Sequence, residues 1–197
     1  GPLPAGALTV APTATLSLDN TSLSGTPAVA IAGTLDLAGP VVLNLAPSVT
    51  TAGTYTALEY GALAGGGTLT TVYRGASFDT TTNPTSTTLT IGEGVALTWT
   101  GSPSATWDVM TTPNWVDGAS NPETFHFLDS VTFDETGALQ PIVTIAQEVR
   151  PFGISVSNPS TDYSFTGSGF ISGVGGLAKT GAAKLTLGTA NTFSGGI

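Results

Sequence analysis

The sequence predicts an all-β protein, and within that class a right-handed parallel β-helix with an aromatic-rich insertion or cap. Three observations carry that expectation. Apolar residues recur at every second position in short segments, the period of a strand whose two faces differ. Glycines such as Gly33, Gly39, Gly181 and Gly188 bracket these segments, where backbones must turn or approach closely. The segments also follow one another too tightly for α/β units. Parallel pairing normally needs a long crossover, which a β-helix supplies by going round its coil. The alternative is an antiparallel β-sandwich, which strand signals about 8–12 residues apart would suit. The many two- and three-residue strands with a glycine corner after each count against it.

Composition narrows the class further. Charged residues are 9% of the 197, against roughly 25% in ordinary soluble domains, and 35 threonines and 26 glycines take their place. Hydroxyl-covered strands fit that exchange; surface helices, which need Glu, Lys and Arg, do not. The net charge of −9 and the scattering of Arg74, Arg150, Lys179 and Lys184 argue against nucleic acid and anionic membranes as partners. No cysteine is present, so there is neither a disulfide framework nor a thiolate metal site. No apolar run approaches the ~20 residues of a membrane helix. Gly1-Pro2 reads as a tag remnant, and the chain as an excised fragment of a longer one.

Residues 7–18 alternate apolar with hydroxyl side chains, broken near Pro12. Residues 27–45 continue the alternation, with Val29, Ile31, Leu35, Leu37, Val41, Leu43 and Leu45 on a buried face and corners at Gly25, Gly33 and Gly39. Tyr55, Tyr60, the Gly65-Gly66-Gly67 corner and Leu69-x-x-Val72-Tyr73 follow. Residues 78–88 form a polar loop with a turn at Asn83-Pro84. Leu89 to Trp99 is strand-like again. Residues 1–98 are thus expected as rungs closing one repeat block.

From 99 to 135 the character changes. Trp99, Trp107, Trp115, Phe125, Phe127 and Phe133 gather there, interrupted by Pro103, Pro113 and Pro122, as in an insertion or cap that covers a coil's end. Residues 136–197 return to short strands and finish on Leu177-Ala-Lys-Thr-Gly181-Ala-Ala-Lys-Leu-Thr-Leu-Gly188-Thr-Ala-Asn191-Thr-Phe-Ser-Gly195-Gly196. In this unit, 176–197, alternation sets Leu185 and Leu187 on one face and Thr186 on the other. Two apolar side chains cannot sustain such a unit alone, so stability must come from stacking on its like.

The run 177–196 resembles the autotransporter-associated β-strand repeat of large bacterial surface and secreted proteins. Leu97-Thr-Trp-Thr-Gly101, Trp107-Asp108, Asn114-Trp115 and Asp129-Ser-Val-Thr-Phe-Asp134 resemble the segment that often precedes this repeat. Ala52 to Gly61 resembles the portion that often closes a previous block. The resemblance implies a parallel β-helix in an exported protein, extracellular or on the bacterial surface, whose partners are neighbouring repeats of the same chain. It implies no specific activity.

Candidate sites are few. His126 is the only histidine, and the apolar neighbours Phe125, Phe127 and Leu128 make it a strand residue projecting opposite the phenylalanines. Three tryptophans could form a stacking platform for an extracellular glycan, with Trp107 and Trp115 as the faces and Asp108, Asn114 and Asp117 as polar contacts. The competing account is that six aromatics close together form a small satellite core; an intermediate outcome is one exposed indole, Trp107 or Trp115, beside a buried Trp99 that continues the Leu89–Leu97 strand. Asp129, Asp134 and Glu135 are the weak candidates for calcium, although no D-x-D-x-D loop is present and Asx-turn roles explain Asp108, Asp117 and Asp129 as well. A polysaccharide-acting enzyme would need an acid cluster with an Arg or Lys base, and no pair of carboxylates stands out; a non-enzymatic protein without a cofactor is expected. Thr-x-Thr pairs at 13/15, 54/56, 68/70, 88/90 and 98/100 are too irregularly spaced for an ice-binding lattice.

Overall fold

Period-two alternation produces strands and little else. The structure, a computed structural model, describes residues 6–18, 27 and 29–197; Gly1-Pro2 and the expected corner at Gly25 lie outside the described residues. The described chain is all-β, its one helical element being a 3-10 turn at Glu135–Gly137. It divides into two compact units, Gly1–Gly92 and Glu93–Ile197.

The first unit holds β1 (Leu8–Val10), β2 (Thr15–Leu18), β3 (Val29–Leu37), β4 (Val41–Leu45), β5 (Gly53–Ala64), β6 (Leu69–Thr70), β7 (Ser77–Asp79) and β8 (Ser86–Ile91). Its strands form two parallel ladders, β1-β3-β5 and β2-β4-β6. Leu8 stands beside Leu35 and Leu16 beside Leu43, 27 positions on in both cases. Inward Leu18, Leu35, Leu43 and Leu45 are at most 1% exposed. Each such side chain contributes about 1.5–3 kcal/mol by leaving water. β8 then runs antiparallel to β5, and β7 antiparallel to β8. The ladder that began parallel therefore ends on a reversed pair.

The second unit begins with β9 (Ala96–Trp99), β10 (Thr106–Trp107), β11 (Trp115–Val116) and β12 (Pro122–Glu123). It continues through β13 (Ser130–Phe133), β14 (Ile142–Ile145), β15 (Glu148–Val149), β16 (Gly153–Ser157), β17 (Tyr163–Thr166), β18 (Phe170–Ile171), β19 (Leu177–Thr180) and β20 (Leu185–Leu187). Three ladders are parallel: β9-β13-β16-β19, β10-β14-β17-β20 and β15-β18. Ser130 pairs with Gly153 and Ile154 with Leu177, 23 positions apart each time. Ile142 pairs with Ser164, Tyr163 with Leu185 and Glu148 with Phe170, each 22 apart. Inside, Leu97, Val131, Ile154 and Leu177 form one apolar row.

Glycine corners keep these strands close. A Cβ on Gly167, whose φ is +114°, would lie 2.3 Å from the Ile145 carbonyl oxygen. Only a residue without a side chain fits.

In each unit an antiparallel strand takes the second edge of a parallel one: β8 on β5 in the first, and β11 on β9 in the second.

Candidate functional site

The Trp- and Phe-rich segment builds the start of the second unit. β11 pairs antiparallel with β9, setting Trp115 opposite Trp99, and β12 follows as the outer edge. Pro122 and Glu123 on that edge discourage further pairing. All three indoles are buried: Trp99 and Trp107 at 0% and Trp115 at 1% exposure.

The rings pack edge to face. Trp99 and Trp115 lie 4.9 Å apart at 71°, Trp107 and Phe125 5.4 Å apart at 89°, and Phe133 and Phe165 4.7 Å apart. Such contacts add about 0.5–1.5 kcal/mol beyond burial. The exposed indole expected at Trp107 or Trp115 is absent because both rings are walled in by Phe125 and Phe133. Trp99 donates from Nε1 to the Gln140 carbonyl at 3.1 Å, whereas Trp107 Nε1 has no hydrogen-bond partner among the described residues.

The polar residues once grouped with these indoles also turn inward or onto their own loops. Asn114 is fully buried. Its Nδ2 donates to the Thr106 carbonyl at 2.6 Å and the Ser104 hydroxyl at 3.1 Å, and its Oδ1 accepts from the Ser104 N–H. Its backbone carbonyl accepts from Thr100 and Gly101. Asn114 thus holds the whole 100–106 loop in place. Asp108 accepts from the Thr112 N–H and hydroxyl. Asp117 closes a turn by accepting from Ala119 and Asn121, and the Asn121 side-chain amide holds its carboxyl below the ordinary value.

The calcium candidates are dispersed among separate tasks. Asp129 is completely buried, with Oδ1 accepting from the Val95 N–H and Oδ2 from the His126 N–H. Asp134 caps the 3-10 turn by accepting from Thr136. Glu135 reaches forward to the N–H groups of Ser160 and Thr161 and to the Thr161 hydroxyl, which holds its carboxyl down to about 2. Among the described residues no group of three or more His, Asp or Glu side chains could hold a metal ion. These carboxylates bind backbone N–H groups, which is how loops without helices satisfy their donors.

His126 is half-buried, with Nε2 3.3 Å from the Thr124 hydroxyl, while Phe125 and Phe127 turn inward. The segment around it is a turn, not the expected strand, because Leu128 adopts a left-handed φ of 71°. Arg150 pairs with Glu148 at 2.9 Å and lies 5.1 Å from the centre of Phe127. Ser172 donates to the same Glu148 carboxylate.

One feature had no sequence signal. The outer face of β13, β16 and β19 forms an open groove of about 550 Å³, lined by Ser130, Thr132, Phe152, Ser155, Ala178 and Ile197 among others. Phe152 is 59% exposed there. Outward small residues from three parallel strands make the floor; only the register reveals that they align. Comparison with protein-family models, curated proteins and solved structures finds no match.

Proposed function

We propose that this chain is a structural segment of an exported bacterial surface protein, a right-handed parallel β-helix that serves as stalk or adhesive scaffold without catalytic activity. The observation that carries the reading is the repeated offset of 22–23 positions in three separate ladders of the second unit. Equal offsets on three sides are what a chain gains by completing one coil per repeat. The resemblance of 177–196 to the autotransporter-associated repeat supports the extracellular, cell-surface setting. Its mechanism is mechanical: each rung adds hydrogen bonds and buried Leu, Ile and Val to the rung before it. Partners are then neighbouring repeats of the same chain.

Glycan recognition through Trp107 and Trp115 finds no support, since neither indole offers a face to solvent. Calcium is no part of the proposal, because Asp129, Asp134 and Glu135 already accept from backbone N–H groups. The test is to append a second copy of residues 176–197 after Ile197 and compare melting temperatures. A higher melting point is expected; an unchanged one overturns rung stacking. Protease shaving of intact source cells should remove the segment, and full protection would refute the surface location.

A further inference from the structure

The outer face of β13, β16 and β19 has a shape that its strands do not need. Register sets Ser130 beside Gly153 in one row, and Thr132, Ser155 and Ala178 side by side in the next. Parallel strands lie about 4.8 Å apart, so each row is a line of small groups crossing the ladder. Over them opens the groove of about 550 Å³, within the roughly 300–1,000 Å³ of ligand sites.

Gly153 makes the room. Gly169 and Gly175 are compelled, because a Cβ on either would lie 2.2 Å or 2.4 Å from a backbone oxygen. A Cβ on Gly153 would meet nothing within 4 Å, and its φ is not left-handed. Glycine in a strand costs stability relative to alanine. Neither a turn nor a close approach accounts for it here; what its missing side chain leaves free is the floor of the groove.

Phe152 supplies the wall. Its ring is 59% exposed, yet its N–H donates to the Asp129 carbonyl at 3.0 Å, so the backbone fixes it in place. Among the described residues the hydroxyls of Thr132 and Ser155 bond to no other group of the chain, whereas outward Thr166 donates to the Val143 carbonyl of its own ladder. None of the described residues lining the groove is charged, in a chain of net charge −9.

An aromatic face beside neutral hydroxyls matches a sugar ring, which has an apolar C–H face and a rim of hydroxyls. An acidic glycan would find no cation here. An extended peptide would find no pockets for its alternate side chains, since the floor is Gly, Ser, Thr and Ala. We propose that the groove binds a neutral oligosaccharide, one ring stacked on Phe152 above Gly153 and its hydroxyls bonded to Thr132 and Ser155. This surface is separate from the buried indoles and from the β19 edge, where a further strand would add in the plane of the sheet. It goes beyond the scaffold reading and needs only the register of β13, β16 and β19.

The test titrates the whole chain calorimetrically with maltohexaose, cellohexaose and N-acetylated chitohexaose, with hexagalacturonic acid as the charged control. Amide chemical shifts then locate the contact. At least one neutral hexasaccharide should bind and move the amides of 130–132, 152–155 and 176–178. Phe152→Ala should weaken that binding about tenfold, and Gly153→Val should abolish it, both melting with the wild type. Ser155→Ala, at an exposed position, should weaken it without touching the fold. Binding to no neutral probe, preference for the acidic one, shifts elsewhere, or unchanged affinity in the variants overturns the site. Sedimentation that rises with concentration and is lost in Phe152→Ala would give this face to a second copy, and overturns it too. The rung-extension comparison reads melting without sugar, so the groove and the scaffold can fail separately.

Discussion

Glu135 and Thr161 meet across 26 positions of chain, the Glu135 carboxylate accepting from the Thr161 N–H at 3.1 Å with one oxygen and from its hydroxyl with the other. The same carboxylate takes the Ser160 N–H, and the Tyr163 hydroxyl donates to the Asp134 carbonyl beside it. This small cluster ties the turn after β13 to the turn before β17.

The Thr161 hydroxyl, followed by the Ser160 N–H, lowers the Glu135 pKa from 4.5 to about 2, so the folded state favours the ionised form. A depressed carboxyl stabilises the fold at pH values above its unfolded pKa and loses that contribution as pH falls through the folded one. The contribution is therefore complete above about pH 4.5 and gone below about pH 2. Glu135→Gln should flatten the decline of melting temperature across that interval. Parallel acid limbs in the two proteins would show that the grip adds nothing.

Trp99 and Trp107 are equally buried but differ in one hydrogen bond. Trp99→Phe loses the bond to Gln140 as well as volume; Trp107→Phe loses volume alone. Urea unfolding should find Trp99→Phe the more costly by about 0.5–1.5 kcal/mol. Trp107→Ala, which empties the centre of the cluster, should cost about 3–5 kcal/mol. A cost near zero there would mean that the ring is not packed as described.

Asn114→Ala leaves the Ser104 N–H and the Thr106 carbonyl without their partner. These groups are half-buried, so each one left unpaired costs about 1 kcal/mol, the low end of the range for a buried group. Asn114→Asp should be worse, because a carboxylate would face the Thr106 carbonyl oxygen in a buried place. Chemical denaturation of both variants checks the order; Asp milder than Ala would contradict it.

Gly167→Ala combines a left-handed φ with a Cβ driven against the Ile145 carbonyl, and Gly118→Ala meets nothing within 4 Å. The first should lower stability by more than about 1 kcal/mol and the second should leave it nearly unchanged. Equal melting points would mean that the strands can spread without penalty.

How much of this was legible depended on the range of the interaction. Leu43 and Leu45 are buried with Asn44 between them less so, as alternation requires, because that signal lies within five residues. The reversed strands β8 and β11 were not legible, since β-branched and aromatic residues suit either strand direction. The fate of Trp107 and Trp115 stayed open between binding face and core for a similar reason. A tryptophan serves equally as a binding face or as core, and its neighbours Asp108 and Asn114 looked like ligand contacts when they are loop fasteners. The Glu135 grip on Thr161 spans 26 positions, which no short motif states.

The 22–23 offsets that link β13 to β16 and β19, β14 to β17 and β20, and β15 to β18 have a consequence in time. Each of these later strands closes a loop of the same modest length as the last, so its entropic cost does not grow along this stretch. A two-sheet fold with distant partners must wait for its far strands; here a strand finds its neighbour among residues that have only just gone before. Such a polypeptide can gain order in sequence as it is delivered, each newly paired strand serving as the template on which the next one condenses.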